Sequence, residues 1–139
     1  MDALRSEKAG TVRDWMSREP VTVTPEVSIE HVIRLMRARA IRHVLVMDGE
    51  RLAGIVSNRD VRRLLLAGEH SMPPSAPVRQ VMTESPVTVS PETPLTVAAR
   101  ELLDRKIGAL PVVEGDRPIG ILTKSDALEA LLAWAEGPE

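Results

Sequence analysis

Two pairs of residues in this sequence combine a hydroxyl group with a carboxylate at the same spacing. Ser57 precedes Asp60 by three positions, and Thr123 precedes Asp126 by three. Each pair follows a short apolar stretch, so we expect it to stand where a strand ends and a helix begins. A carboxylate there can accept hydrogen bonds from both ribose hydroxyls, while the free N–H groups of the helix start favour a phosphate. The pattern therefore suits recognition of a ribose-phosphate, at two places.

The same spacing has a purely structural explanation. A hydroxyl residue at the N-cap and an acid three positions later form a capping box, and the cap stabilises a helix by about 1 kcal/mol. Two features favour an additional role. The pattern occurs twice, and a glycine precedes each copy within the strand (Gly54 and Gly120), which suggests close approach by another backbone or by a ligand. Capping and binding are compatible, so both interpretations stay open.

The chain is a tandem repeat. Residues 12–67 align on residues 78–133 with a constant shift of 66 positions and no gap, and 21 of the 56 pairs are identical. We therefore expect repeat 1 at 12–67 and repeat 2 at 78–133. The proline-rich stretch between them, 68–77, is predicted to be a short linker.

Each repeat is predicted to run β-α-β-β-α, which gives an α+β fold. Thr11 is expected to cap a short helical turn before the first strand, and Thr93 to cap the central helix of repeat 2 with Pro94 just inside. Asp48-Gly49 and Glu114-Gly115 are typical of hairpin tips. A unit of about 56 residues is near the lower limit for independent stability, so we expect the repeats to pack as one pseudo-twofold module.

Composition argues against several classes of function. The net charge of −2 and the two tryptophans, with no Phe or Tyr, argue against nucleic acid as a partner. No apolar run is long enough to span a membrane, and residues 1–10 do not resemble a secretory signal. The sequence has no cysteine and three scattered histidines, and it lacks the common nucleotide-hydrolase, dehydrogenase and protease motifs. We therefore expect a soluble, cytoplasmic protein with no catalytic residues and no metal site.

The combination of Pro-Val-Thr-Val, a helix, a hairpin and Gly-Ile-Val/Leu-Ser/Thr-x-x-Asp, present in both repeats, resembles a tandem pair of CBS domains. The resemblance covers nearly the whole chain, from Thr11 to Ala133. It implies one module, also called a Bateman module, with two symmetry-related clefts between the repeats. It also implies an adenosine derivative as ligand: AMP, ADP, ATP or S-adenosylmethionine.

The resemblance assigns roles to residues of both repeats. It implies that Asp60 and Asp126 hold the ribose hydroxyls, and that a strand after each Pro-Val meets the adenine edge through its backbone. The matching hydroxyl and strand residues are Ser57, Thr123, Thr22 and Thr88. In this family a cleft usually combines the strand of one repeat with the acid of the other, so Thr88 is paired with Asp60 and Thr22 with Asp126.

The two clefts are expected to differ in charge. The positions that contact phosphate in some family members are Arg42 and His43 in repeat 1 but Gly108 and Ala109 in repeat 2. Within the motif itself, repeat 1 has Arg59. Repeat 2 has Lys124 and Ser125 there, and Val21, Ile41 and Ile107 are candidates to hold the adenine. The Asp60 cleft is therefore better equipped for a phosphate chain, although His43 is also typical of a partly buried packing residue.

The sequence thus predicts a stand-alone regulatory module that binds an adenine nucleotide or other adenosyl ligand between its repeats. No cofactor is required in this interpretation. We expect a homodimer, because one module leaves apolar helix faces uncovered, and we expect an effector protein as partner. The alternative is a structural dimerisation or interaction module without a ligand, in which the Ser/Thr-x-x-Asp pairs are only helix caps.

Overall fold

The computed structural model describes residues 10–66, 68 and 72–137. The chain divides into two compact units. Pro20–Pro86 form the first, here called the Asp60 unit. Met1–Glu19 and Val87–Glu139 together form the second, here called the Asp126 unit. The chain therefore passes from one unit to the other twice.

Helices and strands alternate along the described residues as an α+β fold, as predicted. In chain order the elements are α1 (Val12–Trp15), β1 (Ser17–Arg18), β2 (Thr22–Val23), α2 (Ile29–Arg39), β3 (His43–Asp48), β4 (Arg51–Ser57), α3 (Asn58–Leu65), a 3-10 helix (Val78–Gln80), β5 (Thr83–Glu84), α4 (Leu95–Arg105), β6 (Ala109–Glu114), β7 (Arg117–Thr123) and α5 (Lys124–Glu136). The predicted β-α-β-β-α order is confirmed in repeat 1. In repeat 2 the first strand is reduced to a single parallel bridge between Val89 and Val112.

The Asp60 unit contains a four-stranded sheet in the order β2-β3-β4-β5. β2 lies parallel to β3, with Thr22 opposite Leu45, and α2 makes the crossover between them. β3 and β4 form an antiparallel hairpin, and β5 adds to β4 in the antiparallel sense. The loop of the hairpin starts at Gly49, whose φ of 65° is the left-handed conformation that glycine adopts without strain.

The Asp126 unit contains a three-stranded sheet in the order β1-β7-β6. β6 and β7 repeat the hairpin of the other unit, with the same irregularity after the fourth residue pair and with Gly115 at the same φ of 65°. β1 adds to β7 in the antiparallel sense. The two sheets thus follow one plan, as the repeated sequence predicts.

The core of each unit is aliphatic, as expected for a chain without Phe or Tyr. On α2 the buried residues recur at helical spacing as Ile29, Val32 and Met36, and Ser28 caps the helix by accepting a hydrogen bond from the His31 N–H at 3.0 Å. The strands supply further fully buried side chains of the two cores, among them Val44, Leu45, Val46, Val56, Leu110, Val112 and Leu122.

The opening segment of each repeat packs on the unit that carries the other repeat. The Val12 N–H donates to the Thr93 carbonyl at 2.9 Å, which places α1 in the Asp126 unit. The Val78 N–H donates to the Val27 carbonyl at 2.7 Å, which places the 3-10 helix in the Asp60 unit. Each compact unit is therefore built from one repeat minus its opening segment, plus the opening segment of the other.

Two expectations about helix starts are wrong. Thr93 does not cap α4, because its hydroxyl accepts from the Ser90 N–H at 3.1 Å, and Pro94 stands at the N-cap instead. The Leu95 N–H is satisfied by the Gly10 carbonyl at 3.0 Å, so the exchanged segment replaces the side-chain cap. By contrast, the predicted capping interaction at α1 is confirmed, since the Thr11 N–H donates to the Asp14 carboxylate at 2.9 Å.

Residues 72–77 of the predicted linker pack on the start of α2. Their carbonyl groups accept from the first turn of that helix: Pro74 from the Glu30 N–H and Ala76 from the Ile29 N–H, both at 2.9 Å. Residues 69–71 of the predicted linker lie outside the described residues. Within the part of the chain that is described, no helix combines the length and apolarity needed to cross a bilayer.

Candidate functional site

The junction of β4 with α3 holds the first hydroxyl-carboxylate pair. Ser57 is the N-cap of α3, and its hydroxyl accepts from the Asp60 N–H at 3.1 Å. The Asp60 side chain is half-buried. Its carboxylate accepts no hydrogen bond from any described residue, so the pair forms only half of a capping box. This carboxylate can therefore accept hydrogen bonds from outside the chain.

The junction of β7 with α5 holds the second pair, and there the capping box is closed. The Thr123 hydroxyl accepts from the Asp126 N–H at 3.2 Å, and the Asp126 carboxylate accepts from the Thr123 N–H at 2.9 Å. One oxygen of this carboxylate is thus already engaged. The purely structural explanation of the motif holds for Asp126 and does not account for the Asp60 carboxylate.

The start of β3 lies beside the Asp60 junction. His43 pairs with Ser57 across the hairpin, and the Asn58 N–H donates to the Arg42 carbonyl at 2.8 Å. The equivalent bond in the other unit joins the Lys124 N–H to the Gly108 carbonyl at 3.0 Å. The structure therefore brings the predicted residues of each repeat to one junction, and the Asp60 junction has more basic residues than the Asp126 junction.

The His43 side chain is half-buried at this junction. Burial lowers the pKa of His43 because desolvation disfavours the imidazolium, while the nearby Asp60 carboxylate raises it and Arg42 lowers it further. The net pKa lies below the ordinary value for histidine. His43 is therefore mainly neutral at pH 7, with a ring that can donate one hydrogen bond and accept another. Both earlier interpretations of His43, packing and ligand contact, fit this placement.

The basic residues around the junction are exposed. Arg59 lies in the first turn of α3, and its side chain is exposed to solvent. Lys124 and Ser125, at the start of α5 in the other unit, are also exposed. Arg42 lines a groove between α2 and α3 with Arg37 and Arg62. Sequence reasoning did not predict that Arg62 lines this groove. Its spacing of four from Asn58, which also lines the groove, puts both residues on one face of α3.

Two predicted strand residues fall in different units. Thr22 is exposed on β2 of the Asp60 unit, and Thr88 is exposed just before the Val89 bridge of the Asp126 unit. Their pairing with Asp126 and Asp60, respectively, stays a prediction. Ile107, half-buried, packs on the core of the Asp126 unit beside Gly108.

The two strand glycines are explained by the close approach of neighbouring chain. A Cβ at Gly54 would lie 2.8 Å from the Thr83 carbonyl oxygen and 2.6 Å from the Met82 sulfur. A Cβ at Gly120 would lie 2.7 Å from both the Ser17 carbonyl oxygen and the Met16 sulfur. Close approach by another backbone, which the sequence suggested, is thus present at both glycines.

The residues described contain no cluster of three or more acidic or histidine side chains that could hold a metal ion. The Asp60 junction offers hydrogen-bonding groups: an unengaged carboxylate, a neutral imidazole and the N–H groups of a helix start. Such a set can hold a vicinal diol and a neighbouring anion.

Comparison with known proteins agrees with this arrangement. The model of the CBS domain family matches twice, at residues 12–67 and 78–133. The chain belongs to the CBS domain family. Its α+β fold is that of a tandem CBS repeat, and the two matches have the limits found by aligning the chain on itself.

CBS proteins of known structure share the fold over most of their length. CBSX2, crystallised in complex with AMP, is 30% identical, with a TM-score of 0.77 over 91% of this chain and 99% of that one. The acetoin utilization protein AcuB of Vibrio cholerae, whose assignment is itself provisional, is 32% identical, with a TM-score of 0.74 over 93% and 98% of the two chains.

Curated relatives include an enzyme and a CBS domain-containing protein. Inosine-5′-monophosphate dehydrogenase of Korarchaeum cryptofilum is 39% identical over 113 residues, which are 81% of this chain and 22% of that enzyme. A CBS domain-containing protein of Dictyostelium discoideum is 28% identical and is covered over 93% of its length, against 90% of this chain. The chain thus spans less than a quarter of the first relative and nearly all of the second.

Proposed function

We propose that this CBS pair is a cytoplasmic regulatory module that binds an adenine nucleotide and passes the signal to an effector protein. The Asp60 carboxylate carries the proposal. It is half-buried and accepts no hydrogen bond from the described residues, although it lies at a helix start where capping is the usual role. Its oxygens are available as acceptors, and the two hydroxyls of a ribose would supply the donors.

The surroundings of Asp60 support a phosphate on the ligand. Arg59 and Arg42 are exposed cations, and the His43 imidazole interacts electrostatically with both Asp60 and Arg42. The N–H groups of the first turn of α3 add a partial positive charge. We propose that Ser57, Asp60, Arg59, Arg42 and His43 form the polar part of the site, which favours AMP, ADP or ATP over an uncharged adenosyl ligand.

The remainder of the site is proposed from the CBS resemblance. The strand at Thr88 would meet the adenine edge in the cleft that contains Asp60, and aliphatic side chains such as Ile41 would pack on the base. The second cleft would combine Thr22 with Asp126, Thr123, Ser125 and Lys124, next to Ile107 and Gly108. Because the Asp126 carboxylate already accepts from the Thr123 N–H, we propose that this second cleft binds more weakly.

The comparisons support the ligand class. A CBS protein 30% identical to this chain was crystallised in complex with AMP, and it is matched over almost its whole length. The activities of the curated enzymes are not carried over, since the chain covers only 22% of the first of them.

Ligand binding would act by changing the population of two arrangements of the module, to the extent that the ligand binds one of them more tightly. No cofactor is needed for this role. We also propose that the module is a homodimer, which is supported by the exposed leucines of α5.

A panel of AMP, ADP, ATP, S-adenosylmethionine and NAD, tested by thermal shift and calorimetry, addresses the proposal. A specific ligand at 100 times its Kd stabilises the folded state by about 2.7 kcal/mol. We expect at least one adenine nucleotide to do so. No stabilisation by any of the five would favour the alternative, an interaction module without a ligand, which the closed capping box at Asp126 already supports for that junction.

A further inference from the structure

Each unit has a groove between its two long helices, and the two grooves differ in charge. In the Asp60 unit the groove lies between α2 and α3 and has a cavity volume of about 620 Å³. Its lining includes Arg37, Arg42 and Arg62, all exposed to solvent. In the groove of the Asp126 unit, Leu103 and Leu128 take the positions of Arg37 and Arg62. We call the basic groove of the Asp60 unit the α2–α3 groove.

The charge of the α2–α3 groove is not neutralised within the described part of the chain. None of its three arginines forms an ion pair or a side-chain hydrogen bond with a described residue. No acidic side chain is among the described residues that line the groove. By contrast, Arg34, on the same helix α2, pairs with Glu30. The groove therefore keeps three cationic groups available, although the whole chain has a net charge of −2.

Aliphatic side chains form most of the remaining surface of the groove. Ile33, Ile41 and Leu65 are half-buried there, and Leu66, directly after α3, is 79% exposed. A cleft of this kind combines an apolar floor with exposed cations. Its chemistry is complementary to a segment that presents an apolar stripe with carboxylates beside it.

We infer that the α2–α3 groove docks an acidic amphipathic helix of the effector protein. This inference rests on the effector part of the proposed function and not on the ligand. Amphipathic helices place apolar residues at i, i+3, i+4 and i+7 into grooves between helices, which suits the aliphatic floor. Glutamates beside that stripe would pair with the arginines, whose planar guanidinium groups form two parallel hydrogen bonds to a carboxylate.

Charge makes a partner protein a better occupant than a second copy of this chain. The same groove of a second copy would bring like charges together, which opposes association. The groove of the Asp126 unit would add Lys124, its one charged lining residue among those described, and no carboxylate. A nucleic-acid backbone would pair with the arginines but would leave the aliphatic floor uncovered. An acidic amphipathic helix satisfies both parts of the groove.

Two double variants with the same change in charge test the groove. The groove variant combines Arg37→Glu with Arg62→Glu. The control variant combines Arg39→Glu with Arg63→Glu, which are exposed arginines of the same two helices that do not line the groove. Arg42 is left unchanged because it also belongs to the proposed nucleotide site. The probe is a fluorescently labelled synthetic helical peptide with a leucine stripe flanked by glutamates.

Fluorescence anisotropy without nucleotide measures the affinity of each chain for the peptide, and circular dichroism confirms that the variants are folded. We expect the groove variant to bind the peptide at least about 10-fold more weakly than the wild-type chain, and the control variant to bind within about two-fold. A peptide with lysines in place of the glutamates should not bind the wild-type chain. No binding of the acidic peptide to the wild-type chain, or equal affinity in the groove variant, would overturn the inference.

Two further measurements identify a different occupant. Preference of the wild-type chain for an RNA oligonucleotide over the peptide, lost in the groove variant, would assign the groove to nucleic acid. Dissociation of a wild-type dimer by the groove variant in sedimentation equilibrium would assign it to a second copy. Either result overturns the inference. Titration of AMP into both variants separates it from the nucleotide site, since retained AMP binding with unchanged peptide affinity contradicts the docking groove alone.

Discussion

The Thr123 N–H donates to the Asp126 carboxylate at 2.9 Å, and this bond has no counterpart between Ser57 and Asp60. Two copies of one motif thus use their carboxylates differently. In the Asp126 unit the acid completes a capping box, while in the Asp60 unit it is left half-buried without a donor. Two motifs with identical spacing therefore differ in function: the Asp126 carboxylate is structural, and the Asp60 carboxylate is suited to a ligand.

This difference predicts unequal stability effects. Asp126→Ala removes the Thr123 N–H bond and should lower the free energy of unfolding by about 1 kcal/mol. Asp60→Ala removes only the interaction of an acid with the helix start and should cost a few tenths of a kcal/mol. Urea denaturation of both variants measures the two values. A larger loss for Asp60→Ala than for Asp126→Ala would contradict the assignment of roles.

The proposed ribose contact predicts discrimination against a deoxyribose. 2′-Deoxy-AMP should bind about 10- to 100-fold more weakly than AMP, because one acceptor of Asp60 loses its donor. Calorimetric titration of the wild-type chain with both ligands checks this. In the Asp60→Ala variant the ratio of the two affinities should fall towards one. A ratio that persists in the variant would place the ribose elsewhere.

The burial of His43 predicts a loss of stability in mild acid. The folded-state pKa lies below the unfolded value near 6.5, so the unfolded chain binds more protons once the pH falls past that value. The contribution of His43 to the unfolding free energy should therefore be fully present above about pH 7 and should decline as the pH falls below about 6.5. His43→Gln should reduce this decline between pH 7 and pH 5, as measured by urea denaturation. His31→Gln, at an exposed position of α2, is the control and should retain it.

The end of α2 predicts a stabilising substitution. Ala40 has φ 54° and ψ 45°, a left-handed conformation that costs a non-glycine residue roughly 1–2 kcal/mol. Ala40→Gly should raise the unfolding free energy by about 0.5–1 kcal/mol after the greater chain entropy of glycine is counted. Ala38→Gly, inside the same helix, should lower it by about 1 kcal/mol. Thermal and urea denaturation distinguish the two, and a loss of stability at both positions would contradict the conformational argument.

Local patterns in the sequence predicted much of each unit. The hairpin tips at Gly49 and Gly115 and the Ser57 and Thr123 caps follow from short-range rules, and the structure confirms them. The tandem repeat predicted the shared plan of the two sheets.

Long-range contacts account for what sequence reasoning missed. Thr93 was expected to cap α4, but the Gly10 carbonyl, some eighty positions away, takes that place. The exchange of opening segments depends on bonds such as that from Val78 to Val27, which no local pattern encodes. The open carboxylate of Asp60 is likewise a matter of side-chain placement, because its motif reads the same as that of Asp126.

The account depends most on the Asp60 carboxylate as the acceptor of a nucleotide. Calorimetric titration of AMP into the wild-type chain, Asp60→Asn and Asp126→Asn tests this most directly, because both substitutions keep the size of the side chain. Asp60→Asn should weaken the tighter binding event at least about 10-fold, and Asp126→Asn should leave that event within a few-fold of the wild-type value. Unchanged affinity in Asp60→Asn, together with lost binding in Asp126→Asn, would contradict the account.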